Sequence, residues 1–466
     1  MNHHDDPVRH TRTGARRDLA AAAAAALLVA AAVTVGRAIE RADGSLRVGW
    51  PPLFAGWSPH LGPGTPAALL VAVAVIAYGP VLAARVPWRA LLLGSWLTSM
   101  AWTWSLALVD GWHRGIARRL TTRYEYLQVI DRFDDIPATL RDFTGHILLG
   151  SPDHWPAHIA GHPPAATLTF VGLDRIGLGG GAWAGTWCIT IGCTASAAVL
   201  VTIRALADQT LARRAAPFLV LAPAAIWVGA SADGYFTAVT AWTIALLALA
   251  ATRTVRFPAS AALGSGLLLG LTCYLSYGLT LFAIVALAVL LAARTARPIP
   301  LVLAGAAVVP LVFTLLGFNW WDAYRLLVER YYQGAGGIRP YGYWVWANLA
   351  CTVIVAGPAT FAGLRRVVVA SPGAVPAVRF GKRRPGPARE ATGVHRLVIL
   401  VLGALLALVV ADLSGMSKAE TERIWLPFAT WLLAATALLP SGGRRAWLTA
   451  QAVLALAVNH LLFTGW

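Results

Sequence analysis

The chain has 466 residues, of which 58% are hydrophobic and only 13% are charged. Soluble domains average about 25% charged residues, so this composition excludes an ordinary soluble domain and indicates a polytopic membrane protein. The 38 basic and 21 acidic residues give a net charge of +17. In a membrane protein such an excess reflects cytoplasmic loops held against anionic lipid rather than binding to nucleic acid.

Apolar runs long enough to cross a bilayer recur along the chain. Each must supply roughly 17 to 25 residues, because the hydrocarbon core is about 30 Å thick and every backbone group must be satisfied internally. Thirteen candidate spans begin near Asp18, Pro66, Arg89, Ala182, Ala215, Gly234, Ala259, Gly278, Ile299, Tyr343, Leu397, Ile424 and Trp447. The sequence therefore predicts an all-α polytopic membrane protein with a bundle of about 11 to 13 transmembrane helices and outer juxtamembrane helices.

The arginines predict the orientation of this bundle. If the N-terminus is cytoplasmic, successive crossings place these basic residues inside, together with the basic run of residues 365–396: Arg85, Arg89, Arg204, Arg213, Arg214, Arg253, Arg256, Arg294, Arg297, Arg444 and Arg445. This is the positive-inside pattern. It requires residues 163–178 to lie along the outer surface, because counting them as a span would invert every later loop. The outer side then carries the long loop of residues 110–181.

The outer loop begins at Asp110, where an apolar helix leaves the bilayer. A carboxylate at that depth is partly desolvated and suits a general base; the alternative is a solvated residue at a helix end. Apolar residues then recur at three- and four-residue spacing over 126–136, which predicts an amphipathic helix in the interface. The other candidates of this stretch are Asp134 and Asp135 for catalysis, and Tyr124 and Glu125 for substrate binding.

A rigid bend is expected in the stretch HIAGHPPAATL, residues 158–168. Pro163 and Pro164 cannot continue a preceding helix but are favoured in the first turn of the next one, so the bend should start a second interfacial helix. His162 then has a fixed direction and is a substrate-binding candidate, with capping of the helix as the alternative. His154, His158 and His162 are spaced four residues apart, but nearby prolines disfavour one continuous zinc-binding helix.

Two later outer segments supply the remaining candidates. In DLSGMSKAETERIWLPF, residues 412–428, the chain re-enters the membrane, and an arginine there offers a planar pair of donors to a phosphate at headgroup depth. Snorkelling at a helix end is the alternative. In residues 319–344, aromatic and charged residues mix, as in an interfacial belt or a sugar-stacking surface. The substrate-binding candidates from these segments are Arg339, Lys418, Glu422 and Arg423.

These features together resemble the GT-C superfamily of integral-membrane glycosyltransferases, in particular protein O-mannosyltransferases and aminoarabinose transferases. The resemblance covers residues 89–466 as a catalytic module, leaves residues 1–88 as an N-terminal two-span extension, and makes residues 365–396 a cytoplasmic basic linker. It is carried by Asp110-Gly111 for the family's acidic site, HPPA at 162–165 for its Pro-Pro motif, residues 266–284 for its Gly-rich hairpin, and ADGYF at 232–236 for a short polar turn.

The resemblance implies a glycosyltransferase that moves a sugar from a polyprenyl-phosphate-linked donor to a glycan, lipid or protein acceptor. The reaction would take place on the outer side of a bacterial cytoplasmic membrane. Asp110, or else Asp131, Asp134 or Asp135, would act as the base. Arg423 with Lys418 would hold the departing phosphate, and His162 would position or contact the donor. The sequence lacks a Gly-x-x-x-x-Gly-Lys loop, in agreement with a lipid-linked donor.

No cofactor is expected, and a divalent metal is not indicated by the residue pattern. The alternative function is a transporter or lipid-carrier flippase, which needs an ionisable group facing a cavity within the membrane; Asp233 is its chief candidate. A structural partner subunit is a third hypothesis.

Overall fold

A computed structural model of the protein describes residues 7–371 and 385–465. Within these residues the chain is mostly helical, and the only sheet is a two-stranded antiparallel ribbon. Seven helices of this part of the chain are long and apolar enough to cross a membrane: Gly14–Asp43, Thr65–Arg85, Trp88–Asp110, Gly181–Leu206, Ala232–Thr252, Pro258–Leu275 and Ala391–Leu413. The prediction of an all-α, multi-pass membrane protein is therefore confirmed.

Three further pairs of helices meet the same criteria only when each pair is taken as one bent span. The bends are 80° between Ile299–Leu315 and Trp320–Gln333, 109° between Tyr341–Ala356 and Pro358–Ala370, and 113° between Leu426–Leu438 and Ser441–Leu461. The described residues thus contain 7 to 10 candidate spans. The count of about 11 to 13 expected from hydropathy is not confirmed.

Short helices account for part of this difference. The candidate spans that begin near Ala215 and Gly278 fall on Gln209–Val220, which has 12 residues, and on the short apolar segment Tyr277–Ala293. At 1.5 Å per residue a 12-residue helix covers about 18 Å, which is less than the roughly 30 Å of the hydrocarbon core. Hydropathy includes such helices because it measures composition and not the position at which the backbone turns.

The first apolar helix packs against Tyr341–Ala356 and Pro358–Ala370. Asp18 on this helix is only 1% exposed and lies 2.8 Å from Arg365 Nε, and its other carboxylate oxygen accepts from Arg366 Nε at 2.9 Å. A buried carboxylate is tolerated when it is paired in this way. The first helix is therefore held to the rest of the bundle at its N-terminal end.

The basic loops meet at one end of the bundle. Arg213 donates to the carbonyl oxygen of Ala83 at 2.6 Å, and Arg396 donates to that of Leu206 at 3.2 Å. The helix that ends at Leu206 begins at the opposite end, where it packs against the loop that follows Asp110. The basic end is the one that the positive-inside prediction assigns to the cytoplasm. The central part of the predicted basic linker, residues 372–384, lies outside the described residues.

The loop after Asp110 folds into several short helices instead of one amphipathic helix. A 3-10 helix spans Tyr126–Phe133, and a separate α-helix spans Ile136–Asp142. The two are separate because Pro137 lies in the first turn of the second helix and cannot continue the first. The other short helices that surround the site described below are His113–Ala117, Arg119–Thr121, Phe143–His146, Ala157–Ala160, Ala225–Val228, Ala335–Ile338 and Thr421–Ile424.

The expected His-Pro-Pro bend is present and starts a helix. Ala165–Arg175 follows directly on Pro164 and packs against Tyr126–Phe133, where the rings of Tyr126 and Phe170 stack at 5.3 Å. Its 11 residues cover only about 16 Å, so the helix is too short to cross a membrane. This length agrees with the prediction that residues 163–178 do not span the bilayer.

The two strands are Ala55–Trp57 and Leu462–Thr464, with Gly56 opposite Phe463. Their pairing brings the C-terminal segment beside the loop after Asp110. There Arg119 Nη1 donates to the carbonyl oxygen of Thr464 at 2.9 Å. The two-stranded ribbon therefore lies beside Arg119, a residue of the site described below.

Candidate functional site

A polar cleft lies at the end of the bundle opposite the basic loops. The cleft is narrow, and its polar lining residues are Arg119, Glu125, His158, Asp233 and Arg423. Asp233 lies in the first turn of the apolar helix Ala232–Thr252, and Arg423 lies just before the apolar helix that begins at Leu426. The cleft is therefore at the level where membrane-spanning helices end.

Arg423 is the centre of this cleft and is 7% exposed. Its Nη1 donates to Asp233 Oδ2 at 2.7 Å, and its Nη2 donates to Glu420 Oε2 at 2.8 Å. The same Nη2 lies 3.1 Å from His158 Nε2. Arg339 also forms an ion pair with Glu420, with Arg339 Nη1 3.6 Å from Glu420 Oε1. A planar guanidinium is suited to several such partners at once, because its donors point in fixed directions.

Glu125 and His158 form a second pair in the cleft. Glu125 Oε1 lies 2.9 Å from His158 Nδ1, with the two side chains 5% and 11% exposed. Arginine has no hydrogen-bond acceptor, so the contact between Arg423 Nη2 and His158 Nε2 requires Nε2 to accept. The proton of the neutral imidazole is then on Nδ1 and is donated to Glu125. This arrangement assigns one tautomer, with the lone pair of His158 on Nε2.

The charges around Arg423 keep both it and Glu420 ionised. Burial by itself would lower the pKa of Arg423, but the carboxylates of Asp233 and Glu420 outweigh it and raise that pKa above its ordinary value. Burial by itself would raise the pKa of Glu420, but the guanidiniums of Arg423 and Arg339 outweigh it and lower that pKa. Each buried charge is thus compensated by an opposite one within the cleft.

His162, the histidine of the His-Pro-Pro bend, supports the site without lining the cleft. Its Nδ1 donates to the carbonyl oxygen of His158 at 2.7 Å, and its ring packs against Tyr126 and Phe236 at 5.7 and 5.8 Å. Burial lowers the pKa of His162 to about 4, although the charge of Asp233 opposes this shift. The bend therefore fixes the backbone at His158, and His162 is neutral at physiological pH.

Asp110 lies beside the cleft and is held by two arginines. Its Oδ1 accepts from Arg114 Nε at 3.0 Å, and its Oδ2 accepts from Arg119 Nη2 at 3.0 Å. His60 Nε2 lies 3.2 Å from Oδ1. Arg119 lines the cleft, and its buried Nε has no hydrogen-bond partner among the described residues. Asp110 thus fixes the orientation of a guanidinium that lines the cleft.

The other candidates from the sequence lie away from the cleft lining. Lys418 Nζ donates to the carbonyl oxygen of Gly336 at 2.8 Å, and buried Glu422 accepts from Phe54 N at 2.9 Å. Tyr124 is 44% exposed and has the Arg123 guanidinium 4.7 Å above its ring. Asp134 and Asp135 are exposed, and Asp135 Oδ1 caps the helix Ile136–Asp142 by accepting from Ala138 N at 3.0 Å.

Of the candidates from the sequence, Glu125 and Arg423 line the cleft, and Asp110 and His162 contact residues that line it. Arg339 contacts Glu420, a partner of Arg423. Asp233 was expected within the polar turn ADGYF of the GT-C resemblance and as the chief candidate of a transporter, and His158 only as a disfavoured zinc ligand. Arg119 and Glu420 were not candidates, although Glu420 lies three residues before Arg423, a spacing typical of paired side chains. Nothing in the local sequence distinguishes Arg119 from its basic neighbours.

Among the described residues, no group of three or more His, Cys, Asp or Glu side chains is arranged to hold a metal ion. No protein-family model and no curated protein sequence matches the chain. The function is therefore inferred from the geometry and charges of the cleft.

Proposed function

We propose that the protein is an integral-membrane glycosyltransferase that moves a sugar from a polyprenyl-phosphate-linked donor to an acceptor on the outer face of a bacterial cytoplasmic membrane. Such a reaction needs a base near the acceptor hydroxyl and cations near the departing phosphate. The observation that carries the proposal is that one cleft contains both kinds of group: the Glu125–His158 pair, and the guanidiniums of Arg119 and Arg423.

The position of the cleft supports a lipid-linked substrate. A phosphate attached to a polyprenyl chain cannot leave the headgroup region, and the cleft lies where apolar helices end. A second, mainly apolar pocket is lined in part by Val228 and Thr237. Thr237 is one helical turn beyond Asp233, and its Oγ1 donates to the carbonyl oxygen of Asp233 at 2.7 Å. The phosphate would occupy the cleft while the first part of the chain extends along the apolar cavity.

The alternative of a transporter or flippase has less support from the position of Asp233. An ion or proton pathway uses ionisable groups within the hydrophobic interior of the membrane. Asp233 instead lies in the first turn of its helix and is paired with Arg423 at 2.7 Å. This favours a fixed headgroup site over a path through the bundle.

The direct test uses purified protein in liposomes with undecaprenyl-phosphate-linked mannose, glucose, arabinose and aminoarabinose, each with a labelled sugar. Membrane extracts supply candidate acceptors, and transfer of label is measured. Arg423→Lys should lose at least about tenfold in rate, because an ammonium cannot reproduce the planar donors. Arg325→Lys is the matched control, since Arg325 is 81% exposed.

A second measurement on the same liposomes separates the two hypotheses. We expect label transfer without movement of a fluorescent polyprenyl phosphate between leaflets. Movement of that lipid without label transfer from any donor would replace the transferase by a flippase, and full activity of Arg423→Lys would remove Arg423 from phosphate binding.

A further inference from the structure

We propose that the basic end of the bundle binds the phosphate of an anionic phospholipid between Arg214 and Arg444. This site is separate from the polar cleft, and it goes beyond the proposed transfer reaction and does not depend on it. Three helices pack against one another there: Thr65–Arg85, Gln209–Val220 and Arg444–Leu461. The phosphate would lie where these helices end, at the level of the lipid headgroups.

The three helices bring a group of arginines together. Five of them lie at the ends of these helices: Arg85, Arg213, Arg214, Arg444 and Arg445. Arg213 Nη1 donates to the carbonyl oxygen of Ala83 at 2.6 Å, and Arg445 Nη2 donates to that of Ala77 at 3.0 Å. Both acceptors belong to the last three turns of Thr65–Arg85. The arginines of the other two helices are therefore gathered around the end of this one.

Arg214 and Arg444 are the pair that lacks a counter-ion. Both side chains are partly buried, and the charge of Arg214 acts on Arg444, so the two guanidiniums repel each other. Among the described residues, neither side chain forms a salt bridge or a hydrogen bond. The nearest acid in the sequence, Asp208, instead caps its own helix by accepting from Leu211 N at 2.8 Å. Two like charges that are partly withdrawn from water destabilise the fold unless an anion lies between them.

A phosphate has the chemistry that this pair requires. The planar donors of a guanidinium match the oxygens of a phosphate, and one anion between two cations replaces their repulsion by two attractive contacts. The helix Arg444–Leu461 contains no acidic residue, so it does not supply this anion itself. A lipid headgroup and free inorganic phosphate share the chemistry, and the surroundings of the pair distinguish them.

The surface beside the arginines favours a lipid. Tyr78 and Leu82 lie one turn apart on the same face of Thr65–Arg85 and are 65% and 55% exposed. Val453 on Arg444–Leu461 is 58% exposed. Exposed apolar side chains on membrane helices pack against acyl chains, which free phosphate does not have. The positive-inside prediction also assigns this end to the cytoplasmic leaflet, where anionic lipids attract basic segments.

The first test compares thermal stability with and without an anionic lipid. Delipidated full-length protein is melted in dodecyl maltoside, alone and with dioleoyl phosphatidylglycerol. In detergent alone, Arg214→Gln should melt at or above wild type, because it removes a repulsion. With phosphatidylglycerol, the melting temperature of wild type should rise by roughly 3 °C, and that of Arg214→Gln should rise by less than half as much. The order of the two proteins is thus expected to reverse when the lipid is added.

Arg297→Gln is the matched control, because Arg297 is an exposed arginine in a loop assigned to the same end. It removes the same charge and should keep the wild-type response to the lipid. Arg214→Lys keeps the charge without the planar donors and should keep only part of that response. An equal rise in Arg214→Gln and Arg297→Gln would overturn the site, since the lipid would then respond to surface charge in general.

The second test counts bound lipid by native mass spectrometry and does not depend on any variant being stable. Wild-type protein is mixed with equal amounts of phosphatidylglycerol and phosphatidylcholine that have the same acyl chains. It should retain one phosphatidylglycerol with a preference of at least about tenfold. Arg214→Gln with Arg444→Gln should lose this preference. Equal retention of both lipids by wild type would overturn the proposal.

A third measurement identifies the source of the phosphate. Millimolar sodium phosphate replaces the lipid in the melting experiment, and we expect no rise in the melting temperature of wild type. A rise equal to that given by phosphatidylglycerol, and lost in Arg214→Gln, would overturn the lipid and assign the pair to a soluble anion. None of these measurements uses sugar transfer, so their outcome is independent of the proposed function.

Discussion

At the scale of single residues, the site depends on which atoms of each side chain are already bonded. Asp110 and Arg423 both lie at helix ends where the sequence predicts chemistry, but their contacts differ. Asp110 is bonded to Arg114 and Arg119, whereas Arg423 shares one nitrogen between a carboxylate and a neutral imidazole. The second arrangement includes a hydrogen bond to a neutral acceptor, which is weaker than one to an anion.

The first prediction concerns Asp110. Asp110→Asn weakens the pairing with Arg119, so we expect the KM for the lipid donor to rise about tenfold with an unchanged pH profile, as for the loss of one charge-assisted hydrogen bond. Steady-state kinetics over a pH series measures both quantities. Exposed Asp131→Asn is the control. A fall of 10²- to 10⁴-fold in kcat at constant KM would instead make Asp110 the general base.

The second prediction concerns Glu422, which is completely buried and accepts from Phe54 N. Burial raises its pKa to about 7, although hydrogen bonds from the backbone oppose the shift. Between the ordinary carboxyl pKa near 4.5 and this value, the folded protein binds more protons than the unfolded one, so stability falls as pH rises through this window.

Glu422→Gln should remove this dependence, because the amide still accepts from Phe54 N and carries no charge. We expect a melting temperature in detergent that is roughly 3 °C above wild type at pH 8 and little different at pH 4.5. Glu329→Gln, on the surface, should follow the wild-type curve. A variant that melts below wild type at pH 8 would show that the charged form of Glu422 is stabilising.

At the scale of elements, the short helices around the cleft determine where its side chains point. The bend at Pro163 and Pro164 ends one short helix and begins Ala165–Arg175, and His162 within it bonds the His158 backbone. The helix Ile136–Asp142 is started by Asp135 and Pro137 in the same way. These starts are local effects of proline and of a capping carboxylate.

The third prediction separates capping from catalysis at Asp135. Asp135→Ser keeps a side-chain acceptor for Ala138 N and should retain both stability and transfer activity, whereas Asp135→Ala should lose about 1 kcal/mol of stability. Thermal melting and the transfer assay are measured on both variants. Loss of activity in the serine variant with normal melting would indicate that the carboxylate itself reacts, as the sequence hypothesis for Asp134 and Asp135 requires.

At the scale of the whole molecule, the bundle has a basic end and an end with the polar cleft. At the basic end, Arg213 and Arg396 donate hydrogen bonds to backbone carbonyl groups of neighbouring helices. At the cleft end, Arg423 donates to Asp233, which lies 190 positions away in the chain. The positive-inside rule predicts that the basic end faces the cytoplasm.

The fourth prediction is that the cleft end faces outward. In a protein without its four native cysteines, a cysteine at exposed His154 should react with a membrane-impermeant maleimide on intact cells, and one at exposed Arg204 should react only after permeabilisation. Labelling is measured by a gel shift. The opposite pattern would place the cleft in the cytoplasm and exclude a donor from the outer leaflet.

The sequence by itself determined the features that depend on neighbouring residues. Apolar runs predicted the membrane helices, prolines predicted the start of Ala165–Arg175, and the position where the chain re-enters the membrane pointed to Arg423. These are local effects of hydrophobicity, of proline geometry and of charge at an interface. The predicted count of about 11 to 13 spans was not confirmed, because composition does not show where the bends of 80° to 113° occur.

Only the tertiary structure decided which polar residues act together. His158 and Arg423 are 265 positions apart, and their contact depends on the packing of helices whose apolar surfaces are alike in sequence. The same packing places the carboxylate of Asp110 against two arginines and the imidazole of His158 against Arg423 and Glu125. Whether a side chain is a base or a structural partner depends on the number and charge of its contacts, and those contacts are long-range.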